Sequence, residues 1–97
     1  MRFEVYGKQG CDLCKSAHTK LTLFLDKHCV GQGVALNFVD VETEEGAAEG
    51  DFYDVFHIPT VLLLKDDAQV LARWEGRPPA TQELEGLVRP GGHSAAA

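Results

Sequence analysis

The residues best placed to do chemistry are Cys11-Asp12-Leu13-Cys14. Two cysteines at i and i+3 on a first helical turn can bring their sulfurs into disulfide range. A sulfur near a helix N-terminus meets free backbone N–H groups and the positive end of the helix dipole, and both favour a thiolate. A thiolate is the species that attacks a disulfide. Cys11 is therefore placed as a nucleophile, and Cys14, one turn in and less exposed, suits a resolving thiol. The pair also reads as half of a zinc site. A structural zinc needs two further ligands, and the chain has no second CxxC and no His-x-x-x-His-like pair. The third cysteine, Cys29, falls roughly 22 Å along a continuous helix from Cys14, so a passive role is expected for it.

Three neighbours bear on the pair. His18 follows Cys14 by one helical turn, where it can tune the thiols, add a ligand, or simply stand half-exposed. Lys8 favours a thiolate at Cys11 and Asp12 opposes it. A second segment, Ile58-Pro59-Thr60, leads into the apolar run Val61 to Leu64. A proline at the start of a central strand is tolerated because it precedes the hydrogen-bonded ladder.

These segments need elements to hold them. Arg2 to Tyr6 alternates as a strand, with Phe3 and Val5 on one face and Glu4 and Tyr6 on the other. Gly7 to Gly10 is a loop. A helix is expected from Cys11 to Cys29, with an apolar stripe of Leu13, Ala17, Leu21, Phe24 and Leu25. Gly31 to Gly33 stop it. Val34 to Asp40 is a second strand. A weaker helix starts at Thr43 and ends near Phe56. Gly46 and Gly50 cost it about 1 kcal/mol each against alanine, so it must lean on Phe52, Val55 and Phe56. Thr60 to Lys65 is a strand buried on both faces. Asp66 to Gln69 turns into the strand Val70 to Glu75, with Val70, Ala72 and Trp74 on one side. Thr81 to Arg89 is a last helix, with Leu84, Leu87 and Val88 inward. The order is βαβαββα. The first two βα units imply parallel strands with crossover helices, and the closing hairpin adds an antiparallel pair. The expected fold class is α/β, a four-stranded mixed sheet flanked by three helices.

The chain is 97 residues long, 44% hydrophobic and 25% charged, which bounds it to one small globular domain. Residues 1–90 are read as that domain and 91–97 as a disordered tail. Nine Lys and Arg against fifteen Asp and Glu leave a net charge of −6 with no basic block, which argues against nucleic-acid binding. No apolar run is long enough to span a membrane, and no signal peptide is visible. Three cysteines are too few for a disulfide scaffold. A reducing compartment, the cytoplasm, is the expectation, and the chain is expected to act as a monomer.

The CxxC after the first strand and the Ile-Pro-Thr before an apolar strand together resemble the thioredoxin superfamily. His57 to Lys65 and the closing strand and helix are similar to thioredoxins, whereas the start of the chain looks more like a glutaredoxin. The resemblance covers about Arg2 to Arg89. It implies a thioredoxin-like fold and a dithiol–disulfide oxidoreductase, with Cys11 and Cys14 catalytic. It also implies a cis Pro59 beside Cys11, an Ile58 backbone that pairs with a substrate chain, and Lys8, Ile58, Pro59 and Thr60 as substrate-binding residues. No cofactor and no metal is implied. Asp12-Leu13 stands where thioredoxins have Gly-Pro and glutaredoxins Pro-Tyr. Val5 stands where thioredoxins bury an acid, and Gly76-Arg77-Pro78-Pro79 where glutaredoxins hold glutathione. The expected partners are therefore a protein disulfide and a protein reductase, with glutathione retained as a second donor.

Two other readings stay open. The CxxC could serve a soft metal such as Cu(I), although the Met of copper-chaperone domains is here Gln9. Alternatively, the fold could serve only partner binding, through the acidic stretch Glu42, Glu44, Glu45, Glu49, Asp51 and Asp54.

Overall fold

The alternation of the first strand organises the molecule. In the computed structural model, which describes residues 1–28 and 33–87, β1 (Arg2–Gly7) sends Phe3 and Val5 to one face and Tyr6 to the other. The remaining elements are α1 (Asp12–His28), β2 (Ala35–Asp40), α2 (Glu44–Phe52), β3 (Thr60–Leu64), β4 (Val70–Glu75) and α3 (Thr81–Leu87). This is the βαβαββα order. Cys29, Val88 and residues 91–97, on which sequence expectations also fell, lie outside the described residues.

The four strands form one sheet in the order β2-β1-β3-β4. β1 runs parallel to β2 and antiparallel to β3, and β3 is antiparallel to β4. The first crossover is thus parallel as expected, whereas the second returns β3 antiparallel on the other side of β1. Phe3 and Val5 pack with Ala17, Leu21 and Phe24 of α1, Val61, Leu63 and Trp74 of the sheet and Leu84 of α3. On the opposite face Tyr6, Leu62 and Leu64 pack under Val39, Val41, Tyr53 and Val55. The central position of β3 explains its unbroken apolar sequence, because every residue from Thr60 to Leu64 is buried.

Three parts of the sequence reading need correction. Leu87, expected inward on the last helix, is 39% exposed, and Leu84 is the buried residue of α3. Leu13 is 54% exposed. The inward stripe of α1 is Cys14, Ala17, Leu21 and Phe24, whose 3-4-3 spacing keeps one helix face, whereas successive steps of four drift around the axis. In the second helix, Phe52 and Phe56 are 79% and 78% exposed, so they do not anchor it. Asp54 adopts a left-handed φ of 56° just after the helix stops at Phe52. That turn points Tyr53 and Val55 at the core in their place. The Arg73 guanidinium of β4 holds the turn by donating to the carbonyls of Tyr53 and Asp54.

Helix α2 also lies closer to the sheet than a side chain would permit. A Cβ on Gly46 would fall 1.8 Å from the Asp40 carbonyl oxygen. Thr43 caps this helix, its hydroxyl oxygen accepting from Gly46 N at 3.0 Å and donating to the Asp40 carbonyl at 2.8 Å. The cap and the absent Cβ together pin the start of α2 to the end of β2.

Candidate active site

Cys11 occupies the N-cap of α1, the position where a side chain normally accepts a backbone N–H of the first turn. Its carbonyl accepts Lys15 N at 3.0 Å, and its sulfur accepts Cys14 N at 3.1 Å. The sulfur thus does the work that a Ser, Thr or Asp oxygen does at other helix starts. A negative charge there would be met by an N–H and by the helix dipole. The turn into the cap is closed by Cys11 N donating to the Lys8 carbonyl at 3.4 Å.

The two cysteines form a disulfide, with their Cα atoms 5.2 Å apart. Cys11 is half-buried, whereas Cys14 is only 1% exposed. Gly7, the last residue of β1, makes room for Cys14. A Cβ on Gly7 would lie 2.7 Å from Cys14 Cβ, 2.8 Å from Cys14 Sγ and 3.2 Å from Phe38 Cζ.

The Ile58–Pro59 peptide bond is cis. Tyr6 pairs with Thr60 at one end of the β1–β3 ladder. The chain therefore leaves β1 toward Cys11 and enters β3 from Pro59 at the same end of the sheet, on neighbouring strands. The Pro59 carbonyl accepts Gly76 N at 2.7 Å, which ties the loop to the end of β4. Among the described residues the amide and carbonyl of Ile58 have no hydrogen-bond partner, and its side chain is half-buried. Thr60 and Pro59, expected among substrate contacts, have fully buried side chains. The Thr60 hydroxyl donates to the His57 carbonyl at 2.5 Å, so its part is to shape the loop from within.

Lys8 is exposed beside the cap. It lines a cleft of about 230 Å³ with Gln9, Gly10, Lys15, His18, Thr19 and Phe38. His18 is half-buried, its ring edge-on to Phe38 at 5.8 Å. Among the described residues no group of three or more His, Cys, Asp or Glu side chains is arranged to hold a metal ion.

No family model and no curated protein matches the sequence. Solved structures do match. Thioredoxin-2 of the malaria parasite, described as a component of its protein secretion machinery, superposes with a TM-score of 0.71 at 22% identity, covering 90% of this chain and 79% of that one. Thioredoxin 1 of Thermosipho africanus gives 0.67 at 21% identity, over 89% and 88%. Thioredoxin O2 of Arabidopsis thaliana, in its oxidized state, gives 0.69 at 15% identity, over 89% and 70%. The chain has the thioredoxin fold.

Within that fold the chain carries its buried acid in its own place. Val5 is fully buried among apolar side chains. Among the described residues the buried carboxylate is the adjacent Glu4, 5% exposed and on the opposite face of β1. It accepts from the Tyr6 hydroxyl at 2.8 Å and from Arg2 Nε at 3.0 Å. Glu49 of α2 offers the same hydroxyl a second carboxylate oxygen at 3.3 Å. Burial, and next the hydrogen bond to Glu4, push the Tyr6 phenol well above its ordinary pKa. This network joins α2 to the sheet on the face away from α1.

Four contributors to the site escaped the sequence reading: Gly7, Phe38, Lys15 and Gly76. A glycine ending a strand just ahead of a CxxC loop was a usable signal for Gly7. Phe38 and Gly76 were not signalled, since their roles depend on which strands become neighbours.

Proposed function

We propose that this chain is a thiol–disulfide oxidoreductase acting on protein disulfides. The observation that carries the reading is the Cys11 sulfur at the N-cap of α1, receiving the Cys14 N–H, with Cys14 buried directly behind it. In the reduced protein the Cys11 thiolate attacks one sulfur of a substrate disulfide. A mixed disulfide forms, and the other substrate sulfur leaves as a thiolate that takes a proton from solvent. The Cys14 thiolate then attacks Cys11 Sγ. The Cys11–Cys14 disulfide closes and the second substrate thiol is released. Two electrons pass from the dithiol to the substrate. A protein reductase returns them, in a reducing compartment such as the cytoplasm.

The unpartnered Ile58 backbone supports a protein substrate. An extended segment laid beside it can pair with its N–H and C=O, as strand addition does elsewhere. Glutathione is the less favoured donor, because Arg77, in the segment that stands where glutaredoxins hold glutathione, is engaged with Glu83.

The test is reduction of an insulin-type disulfide substrate by the wild type, Cys11→Ser and Cys14→Ser. Cys11→Ser is expected to be inactive, and Cys14→Ser to accumulate a mixed disulfide at Cys11. Trapping at Cys14 in the Cys11→Ser variant would reverse the roles. Kinetics with NADPH and a thioredoxin reductase, compared with glutathione and its reductase, decide the donor; faster turnover with glutathione would overturn the preference for a protein reductase.

A further inference from the structure

The cations of this acidic chain are divided between two fates. Arg2, Arg73 and Arg77 are ion-paired with Glu4, Glu75 and Glu83. Lys8 and Lys15, like Lys20, Lys27 and Lys65, take part in no ion pair among the described residues; what sets the first two apart is their place beside Cys11. Both line the cleft on the α1–β2 side of Cys11, with His18 beside them and Phe38 in its wall. No carboxylate lines this cleft. The nearest acid in sequence, Asp12, lines the adjoining hollow with Lys15 and Lys20. Gly10 joins the cleft to the reactive sulfur. It lines the cleft and directly precedes Cys11, and a Cβ there would meet nothing within 4 Å. The exposed acids Glu44, Glu45 and Asp51 belong to α2, which packs on the other face of the sheet.

We propose that this cleft receives an acidic side chain lying close to the disulfide in the partner protein. The inference rests on the oxidoreductase reading and adds a substrate class to it: disulfides flanked by Asp or Glu. A substrate sulfur in line with Cys11 places the residues next to it over Gly10 and the cleft. A carboxylate there meets two ammonium groups that have no internal partner, while its aliphatic stem lies against the Phe38 ring. The acidic α2 face repels the same segment, so the charge distribution orients the partner as well as attracting it.

The experiment compares two disulfide peptides of equal length, with cysteines flanked by Glu in one and by Gln in the other. At low ionic strength the wild type is expected to reduce the Glu peptide with a kcat/KM about fivefold higher, the scale of two partly solvated ion pairs. The ratio falls to about one in Lys8→Gln/Lys15→Gln, and also in about 0.5 M salt, where the screening length is a few ångströms. Lys65→Gln removes a charge at the other end of β3 and is expected to keep the preference. A second measurement does not depend on turnover: a cysteine-free Glu peptide is titrated into the isotope-labelled oxidised protein. Shifts are expected at the amides of Lys8, Gly10 and Lys15. Shifts there without reduction of either peptide uphold the cleft and remove the oxidoreductase reading. Equal kcat/KM values with no shifts overturn the proposal, as does a preference that Lys65→Gln abolishes equally.

Discussion

Gly7 and Cys14 are packed so closely that the end of β1 and this buried cysteine form one unit: a methyl group on Gly7 would stand 2.8 Å from Cys14 Sγ. Gly7→Ala is therefore expected to destabilise the protein by about 1–3 kcal/mol, the usual scale of an overpacked site, in denaturant unfolding. It is also expected to slow closure of the Cys11–Cys14 ring, because Cys14 must move to make room. Gly10→Ala is the comparison. Its φ of 80° makes alanine strained, but nothing lies within reach of the added carbon, so ring closure should change far less than in Gly7→Ala.

Exposure separates the two thiols. With Cys11 half-buried at the helix cap and Cys14 only 1% exposed, limited alkylation of the reduced protein is expected to label Cys11 first. Peptide mapping by mass spectrometry reads the order. Faster labelling of Cys14 would contradict the assignment of nucleophile and resolving thiol.

Two glycines one turn apart in α2 are expected to respond with opposite signs. Gly46→Ala drives a methyl into the Asp40 carbonyl, 1.8 Å away, and should cost at least as much as other overpacked sites, ~3 kcal/mol. At Gly50 the nearest atoms, on Val55 and Val41, are 3.7 and 3.9 Å from the added carbon. Gly50→Ala should stabilise by about 0.5–1 kcal/mol, from helix propensity alone. Thermal unfolding of the two variants is the measurement, and a loss of stability in both would refute the distinction.

Glu83 gives stability a pH signature. Its carboxylate receives Arg77 and the Ala80 N–H at the start of α3, a reach back to the N-cap that satisfies an otherwise open donor. The Arg77 hydrogen bond, followed by that of Ala80, lowers its pKa from 4.5 to about 2. A depressed folded-state value means that the stabilisation is present above the unfolded value near 4.5 and is lost as pH falls toward about 2. Glu83→Gln should therefore lower Tm near neutral pH, and the gap to wild type should close across that acidic window. A gap that stays constant through it would exclude ionic stabilisation at Glu83.

The strand order along the chain and the CxxC were legible because each depends on local pattern: alternation at Phe3 and Val5, a continuous apolar run at Val61 to Leu64, and two cysteines where a strand meets a helix. The inward residues of α2 were not. Phe52 and Phe56 have the composition of anchors, but Phe52 faces outward from the last position of α2 and Phe56 lies outward beyond the left-handed residue Asp54. What fixes that turn is Arg73, nineteen residues away in sequence. Glu4 was legible as a strand residue and illegible as a buried one: its partners Arg2 and Tyr6 lie in the same strand, but the face they share is covered only by residues from later in the chain. Contacts between distant elements decided each of these cases, and a linear pattern contains none of them.

The central place of β1 has a consequence for synthesis. Arg2 pairs with Leu64 and Tyr6 with Thr60, so a nascent chain emerging from the ribosome holds one edge of its first strand open until β3 is free of the exit tunnel. Until then the βαβ unit of β1, α1 and β2 carries an unpaired row of N–H and C=O groups beside uncovered apolar side chains, the two features that favour aggregation. The second pairing of β1 waits for the same segment that carries the Ile58–Pro59 loop. A truncated chain ending ahead of Ile58 therefore lacks both the central pairing of β1 and the cis-proline loop, which ties the pairing of β1 to the arrival of that loop at the candidate site.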